Sequence, residues 1–404
     1  MLLRLALRNL LRHRVRTAMT LAAIVFGVTG LVLSGGFVRD ILLQLGEALI
    51  HSQTGHLQVF AKGYYESGTR SPEKFGIASA PALAKEIAAL PQVDDVMSRV
   101  AFAGLVSNGR ADWAIVGEGV EPDKEARLGS YLRVTRGKPL SSGTPNGVMI
   151  GQGVADALKL APGDRLTLLA NTHEGALSSE ELEVVGVFQT FSKEFDARAV
   201  RVPLRLAQQL LMSSGVTNIV ISLKETRDTD AVQQVLAARL GGKGLEVRSW
   251  VELNDFYEKT VALYERQFGV LQLIVVAMVL LSVANTVNMS VFERTGEFGT
   301  MRALGNRSRD VTRLVLVENA ILGAVGGVLG LLIGIALALA ISAVGIPMPP
   351  PPNANLGYTA YVRVVPGVLL AAFAVGVTAT FLAALLPAFR VARTSVVDAL
   401  RQNV

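Results

Sequence analysis

Four apolar runs, 17–38, 268–292, 314–344 and 364–389, punctuate the chain, and Glu318 is the one charged residue inside them. At 1.5 Å per residue, each is long enough to cross a hydrocarbon core as a helix. The polar stretch between the first two runs changes period. Residues 55–61 read as a strand, 80–90 as a helix and 93–107 as one or two strands. Strand, helix and strand then recur at 217–223, 228–240 and 245–249. Between these repeats lie strand-like runs at 113–116, 148–150, 165–170, 182–187 and 199–202, with short helices at 153–158 and 204–212. The pattern predicts two βαβ units paired in a split α/β sandwich (51–110 and 217–250), interrupted by a β-rich insertion (111–216).

Helical periodicity also continues beyond the runs. Asp40, Gln44 and Glu47 share one face after the first run, so 17–50 reads as a span plus an outward stalk; 251–292 reads as a matching stalk and span. Residues 314–344 form the third span and 364–389 the fourth, bounded by Pro366 and Pro387. The proline-rich loop 345–363 joins them. In the third span Gly326, Gly330 and Gly334 stand four apart, a smooth face for close helix packing.

Charge orients this arrangement. Arginines cluster in 1–16, in 293–313 and in 390–404, which puts both termini and the loop 293–313 in the cytoplasm. Arg4, Arg8 and Arg12 lie opposite Leu3, Leu7, Leu10 and Leu11, predicting an amphipathic helix over 1–16 on anionic lipid. The net charge of +6 is confined to these regions, since residues 37–267 carry 25 basic against 28 acidic groups. Membrane lipid is therefore the expected partner and nucleic acid is not. The fold class that follows is an α-helical membrane protein with four transmembrane helices and a large α+β extracytoplasmic domain.

The loop after the second span reads Glu293-Arg294-Thr295-Gly296-Glu297-Phe298-Gly299-Thr300-Met301-Arg302-Ala303-Leu304-Gly305. Phe298, Met301 and Leu304 recur at three-residue spacing and Gly305 is a terminator, so a short amphipathic helix is expected over 297–304. The string resembles the coupling-helix signature of the FtsX-like permeases, subunits of ABC transporters that include the LolC/LolE-type and MacB-type proteins. It departs from the pattern at Gly296, where a basic residue is usual, and at Phe298, where an aliphatic one is commoner. The resemblance assigns ATPase coupling to Glu293, Arg294, Glu297, Phe298, Gly299, Met301, Arg302, Ala303, Leu304 and Gly305. It also implies a sandwich called Porter, holding a β-rich insertion called Sabre, as the periplasmic domain.

Catalytic chemistry is not expected. The chain has no cysteine, no GxxxxGK[ST] loop and four histidines without the acids a zinc enzyme needs. His51 and His56 read as solvated or capping residues. Leu33-Ser34-Gly35-Gly36-Phe37 resembles an ATPase signature but stands inside a span, where small residues are packing contacts. Glu318 reads as a hinge or partner contact, or as a side chain that snorkels or pairs with Arg313. No catalytic residue, metal or cofactor is assigned to the chain; ATP and Mg belong to the partner.

The resemblance implies a non-catalytic permease of the bacterial inner membrane, working with a cytoplasmic ABC ATPase dimer and a second permease copy, identical or paralogous. It would transmit ATP-driven motion to the periplasmic domain. Lipoprotein release is the expected task, because MacB-type chains usually carry a fused ATPase and these 404 residues do not. MacB-like efflux of a peptide, drug or toxin, and FtsX-like regulation of a cell-wall hydrolase, stay open as alternatives.

Overall fold

A computed structural model describes residues 6, 8–10, 12, 14–68, 75–128, 132–350, 354–355 and 357–393. The expectations for Arg4, Leu3, Leu7 and Leu11, for Pro351 and Pro352 and for the tail 394–404 lie outside the described residues. The chain divides into two compact units: Met1–Leu43, Thr260–Pro347 and Thr359–Val404 form a helical unit, and Gln44–Lys259 with Met348–Tyr358 form an α/β unit.

Among the described residues, four long helices supply the helical unit: Arg14–Leu49, Asp255–Glu293, Ser308–Val344 and Pro366–Arg393. All four are long and apolar enough to span a membrane. The third begins six residues before the expected 314. Asp310 accepts the Arg307 backbone N–H at 3.0 Å, and this cap extends the helix past the apolar run. It stops at Gly345, whose φ of 73° few side chains tolerate. Pro387 does not end the fourth helix as expected but lies within it. A proline in a span costs one backbone hydrogen bond, which neighbouring groups can offset.

Glycine sets how closely these helices approach. A Cβ on Gly330 would fall 2.7 Å from Val28 Cβ, and one on Gly326 2.9 Å from Ile24 Cγ2; Gly334 faces Val32 at 3.1 Å. On the adjoining face Gly327 and Gly323 meet Phe373 and Thr380 of the fourth helix. The small-residue face therefore packs between two spans, with Thr29 Oγ1 donating to the Gly330 carbonyl at 3.1 Å. Gly35 and Gly36 likewise sit against Val368 and the Arg363 carbonyl. Asp40, expected on a polar stalk face, is fully buried instead. Its carboxylate accepts from Arg363 Nε and from the Tyr361 N–H, each at 2.7 Å.

Among the described residues, the α/β unit contains a sheet of ten strands: β1 (Leu57–Ala61), β2 (Val93–Ser107), β3 (Asp112–Val120), β4 (Arg133–Gly137), β5 (Gly147–Gly151), β6 (Arg165–Asn171), β7 (Leu177–Gln189), β8 (Ala199–Pro203), β9 (Asn218–Leu223) and β10 (Leu245–Ser249). β10-β1-β9-β2 is an antiparallel sheet, with the helices Ala80–Ala88 and Thr229–Leu240 inside the two βαβ repeats. Each repeat takes a strand of the other between its own two. A common core joins Leu83 and Ile87 to Val232 and Leu236.

β2 runs on for 15 residues and serves two structures. Its first half pairs with β9, while residues 100–107, read from sequence as part of the sandwich, pair with β3 and β6. From there the pairing closes on itself as β2-β3-β8-β5-β7-β6-β2, a six-stranded barrel with β4 added outside β7. Closure removes the exposed edges that an open sheet would present. At the seam Gly104 leaves room for β6, since a Cβ there would stand 2.3 Å from the Leu169 carbonyl oxygen. Phe102, Val106, Val148, Leu168 and Val200 belong to the buried core on the inner faces. The helix Pro122–Leu128 and strand β4 were not anticipated.

Candidate functional site

The short helix after the second span is present as Thr295–Ala303, followed by Gly305 at φ 98°. Its expected residues divide by face. Phe298 is 1% exposed and packs among the spans, Met301 is half-buried against the same cluster, and Leu304 is 81% exposed. Gly296 and Gly299 are buried, whereas Ala303 and Gly305 are open. The three apolar residues therefore do not form one docking stripe. Phe298 ties the helix to its own unit and Leu304 presents its tip outward, because the first helical turn is held down by an ion pair.

That pair is Arg294 with Glu318. Arg294 Nη1 donates to Glu318 Oε2 at 2.7 Å and Nη2 to Oε1 at 3.2 Å; both side chains are buried, and Asn9 Nδ2 adds a third bond to Oε1 at 2.7 Å. The Arg294 guanidinium also lies 5.0 Å from the Phe298 ring centroid and reaches Glu297 Oε2 at 3.3 Å. Glu318 therefore neither snorkels nor pairs with Arg313. Its signal was visible in sequence as a lone acid in an apolar helix, but its partner was not. Around it, Arg16 bonds Glu293, and Arg12 approaches Glu297 at 3.5 Å. Exposed pairs of the latter kind contribute little. Arg302 is half-buried.

A second polar cluster holds the root of the first stalk within the α/β unit. The long first helix finishes in one wide turn, Ile50–Thr54. Arg99 Nη1 donates to the Gln53 carbonyl and Arg201 Nη2 to the Ser52 carbonyl at 3.5 Å. Both arginines are at most 3% exposed. Arg201 Nε bonds Glu118 at 2.9 Å and Nη1 faces Glu125 at 3.3 Å, while Arg99 grips Glu125 with two nitrogens. Burial works against the Glu125 charge, yet Arg99 and Arg201 outweigh it and hold the carboxyl below its usual range. Two buried cations thus sit where the orphan carbonyls of a helix end are partly negative. Beside them His56, for which a solvated or capping role was expected, is buried and hydrogen-bonded through both ring nitrogens. Leu223 N–H donates to its Nδ1 at 3.1 Å, and its Nε2 donates to Thr226 Oγ1 at 3.1 Å. Thr226 in turn donates to Glu47 at 2.6 Å, and Glu47 faces His51 at 3.2 Å. Sequence reading missed this cluster, whose members are scattered from residue 47 to residue 226.

A family model described as MacB-like periplasmic core domain matches residues 17–239, and one described as FtsX-like permease C-terminal matches residues 269–396. The macrolide export ATP-binding/permease protein MacB of Sodalis glossinidius is 25% identical over 353 residues, covering 83% of this chain and 52% of its own. The lipoprotein-releasing system transmembrane protein LolC of Xylella fastidiosa is 24% identical over 394 residues, covering 93% of this chain and 90% of its own. The ABC transporter permease YvrN of Bacillus subtilis is 24% identical over 433 aligned positions, covering 99% and 98%. The chain thus spans about half the length of its MacB relative.

Proposed function

This chain belongs to the ABC transporter permease family that joins a MacB-like periplasmic core domain to an FtsX-like permease C-terminal domain, and from that premise we propose that it drives lipoprotein release by mechanical transmission. A cytoplasmic ATPase is the partner that the family implies, and the permease is a non-catalytic subunit. In the proposed cycle, ATP-driven motion of an ATPase dimer enters through Thr295–Ala303 and leaves through the stalks into the periplasmic domain, with a second permease copy alongside. The membrane is the bacterial inner membrane and both termini are cytoplasmic, in keeping with the arginine clusters.

The observation that carries this reading is helix length. The first two spans run for 36 and 39 residues, against roughly 20 needed to cross a bilayer, so each has over a dozen residues left to act as a rigid arm. The second helix also exposes Leu271, Leu273, Ile274, Met278 and Leu281, a surface better suited to an acyl-anchored cargo than to a hydrated one. Efflux of a soluble peptide, drug or toxin is the second reading, favoured by the similarity to MacB.

The test is reconstitution of the full chain with its ATPase and a triacylated lipoprotein. Leu304→Asp, at an exposed tip, should leave the permease folded yet uncouple ATP hydrolysis from release. Normal release by this variant would refute the entry of ATPase motion through Thr295–Ala303. Export of soluble peptide with no effect on lipoprotein would favour efflux.

A further inference from the structure

We propose that the groove between the arginine-bearing end of the first helix and the second span is a binding site for one anionic glycerophospholipid. The groove encloses about 530 Å³ and lies wholly within the helical unit. Arg12, Arg14 and Arg16 line it, and among the described residues no acidic one does. The nearest carboxylates are already engaged, Glu293 by Arg16 and Glu297 by Arg12 and Arg294. Arg12 and Arg14 are exposed there, while Arg16 is half-buried, its Nη1 without a hydrogen-bond partner among the described residues.

The walls follow the chemistry of a phospholipid from headgroup to chains. Val15 and Met19, four apart on the first helix, and Met289 on the second are apolar and more than half exposed. One turn along the second helix from Met289, Asn285 and Thr286 supply polar groups to the groove wall. An exposed amide there is unfavourable against hydrocarbon but well matched to the ester and glycerol oxygens beneath a phosphate. Guanidinium forks suit the phosphodiester itself, through paired charge-assisted hydrogen bonds. A zwitterionic lipid offers the same phosphate but brings a cation up to an arginine-lined groove. The site is thereby selective for anionic headgroups, and it adjoins the residues that anchor the short coupling helix.

Photoreactive phosphatidylglycerol and photoreactive phosphatidylcholine, incorporated in vesicles holding the full-length chain, test this directly. Phosphatidylglycerol should label the segments 12–19 and 285–289 at least about fivefold more than phosphatidylcholine. The triple change Arg12→Gln, Arg14→Gln, Arg16→Gln should abolish that preference, and the corresponding triple change to Lys should keep most of it. Asn285→Leu, which leaves every charge in place, should reduce labelling on its own. Equal labelling by the two lipids, or a preference that survives the triple Gln variant, would overturn the proposal. Loss of labelling on adding millimolar inorganic phosphate would assign the site to a free anion instead. Cross-linking of the groove to a second copy in place of lipid would make it a protein interface.

Discussion

Arg294 and Glu318, 24 residues apart, meet as a buried two-pronged ion pair that fixes the start of the short helix Thr295–Ala303 to the third span. Both side chains are buried, so each charge depends chiefly on the other, with Asn9 and Glu297 assisting, for the stabilisation that water would otherwise give. Glu318→Ala should therefore destabilise the helical unit by about 3–5 kcal/mol, the usual cost of orphaning a buried charge. Arg313→Ala, at the partner that sequence proximity suggested, should be nearly neutral. Thermal unfolding of both variants in detergent decides the matter; equal effects would mean that the pair does not hold the helix.

A pH dependence follows from His56. Burial first, and neighbouring His51 second, push its imidazole down to about 4, with Glu47 and Asp94 opposing. The unfolded chain binds a proton near pH 6.5 and the folded one does not, so stability is complete above pH 6.5 and lost as pH falls towards 4. The loss amounts to about 3 kcal/mol. Unfolding midpoints measured from pH 7 to pH 4.5 should fall more steeply for the native chain than for His56→Gln. Parallel curves would show that His56 charges freely in the folded state.

Gly330 and Gly269 make a matched pair of helical glycines with opposite expectations. A Cβ at Gly330 collides with Val28, whereas one at Gly269 meets nothing within 4 Å. Gly330→Val should separate the first and third helices and cost about 1–3 kcal/mol of packing strain. Gly269→Ala should be neutral or stabilising by up to about 1 kcal/mol through helix propensity. A cysteine cross-link between the facing spans, whose native chain has no cysteine to interfere, reports the separation.

The stalk of the second span offers the cleanest mechanical test. Leu263 is 55% exposed within the uninterrupted helix Asp255–Glu293, while Leu45 of the first stalk is buried and would confound kinking with lost packing. Leu263→Pro removes a helical hydrogen bond at a cost of about 3 kcal/mol or more and inserts a bend. ATP turnover with the partner ATPase should persist while cargo release collapses at least about tenfold. Undiminished release would make the stalk a passive tether.

Much of this architecture is legible in the chain itself because its causes are local. A run of some twenty uncharged residues is a span whatever surrounds it, and arginines at its end orient it. The alternation of period along 55–249 likewise announced most strands and helices of the α/β unit, though not β4 or the helix Pro122–Leu128, and Gly305 ended the short helix Thr295–Ala303 where a positive φ is required. Tertiary structure alone decided which partners those elements take. Residues 104–107 close a barrel onto 167–170 across a seam that only Gly104 permits, and no local preference encodes that register. Phe298 turned inward and Leu304 outward although their spacing made them equivalent, because Arg294 docks on Glu318 and sets the helix's rotation. Arg99 and Arg201 look like ordinary surface arginines in sequence. Burial against Glu118, Glu125 and the carbonyls at the stalk's end gives them their role, since the strength of a charge depends on the dielectric and neighbours that folding assembles around it.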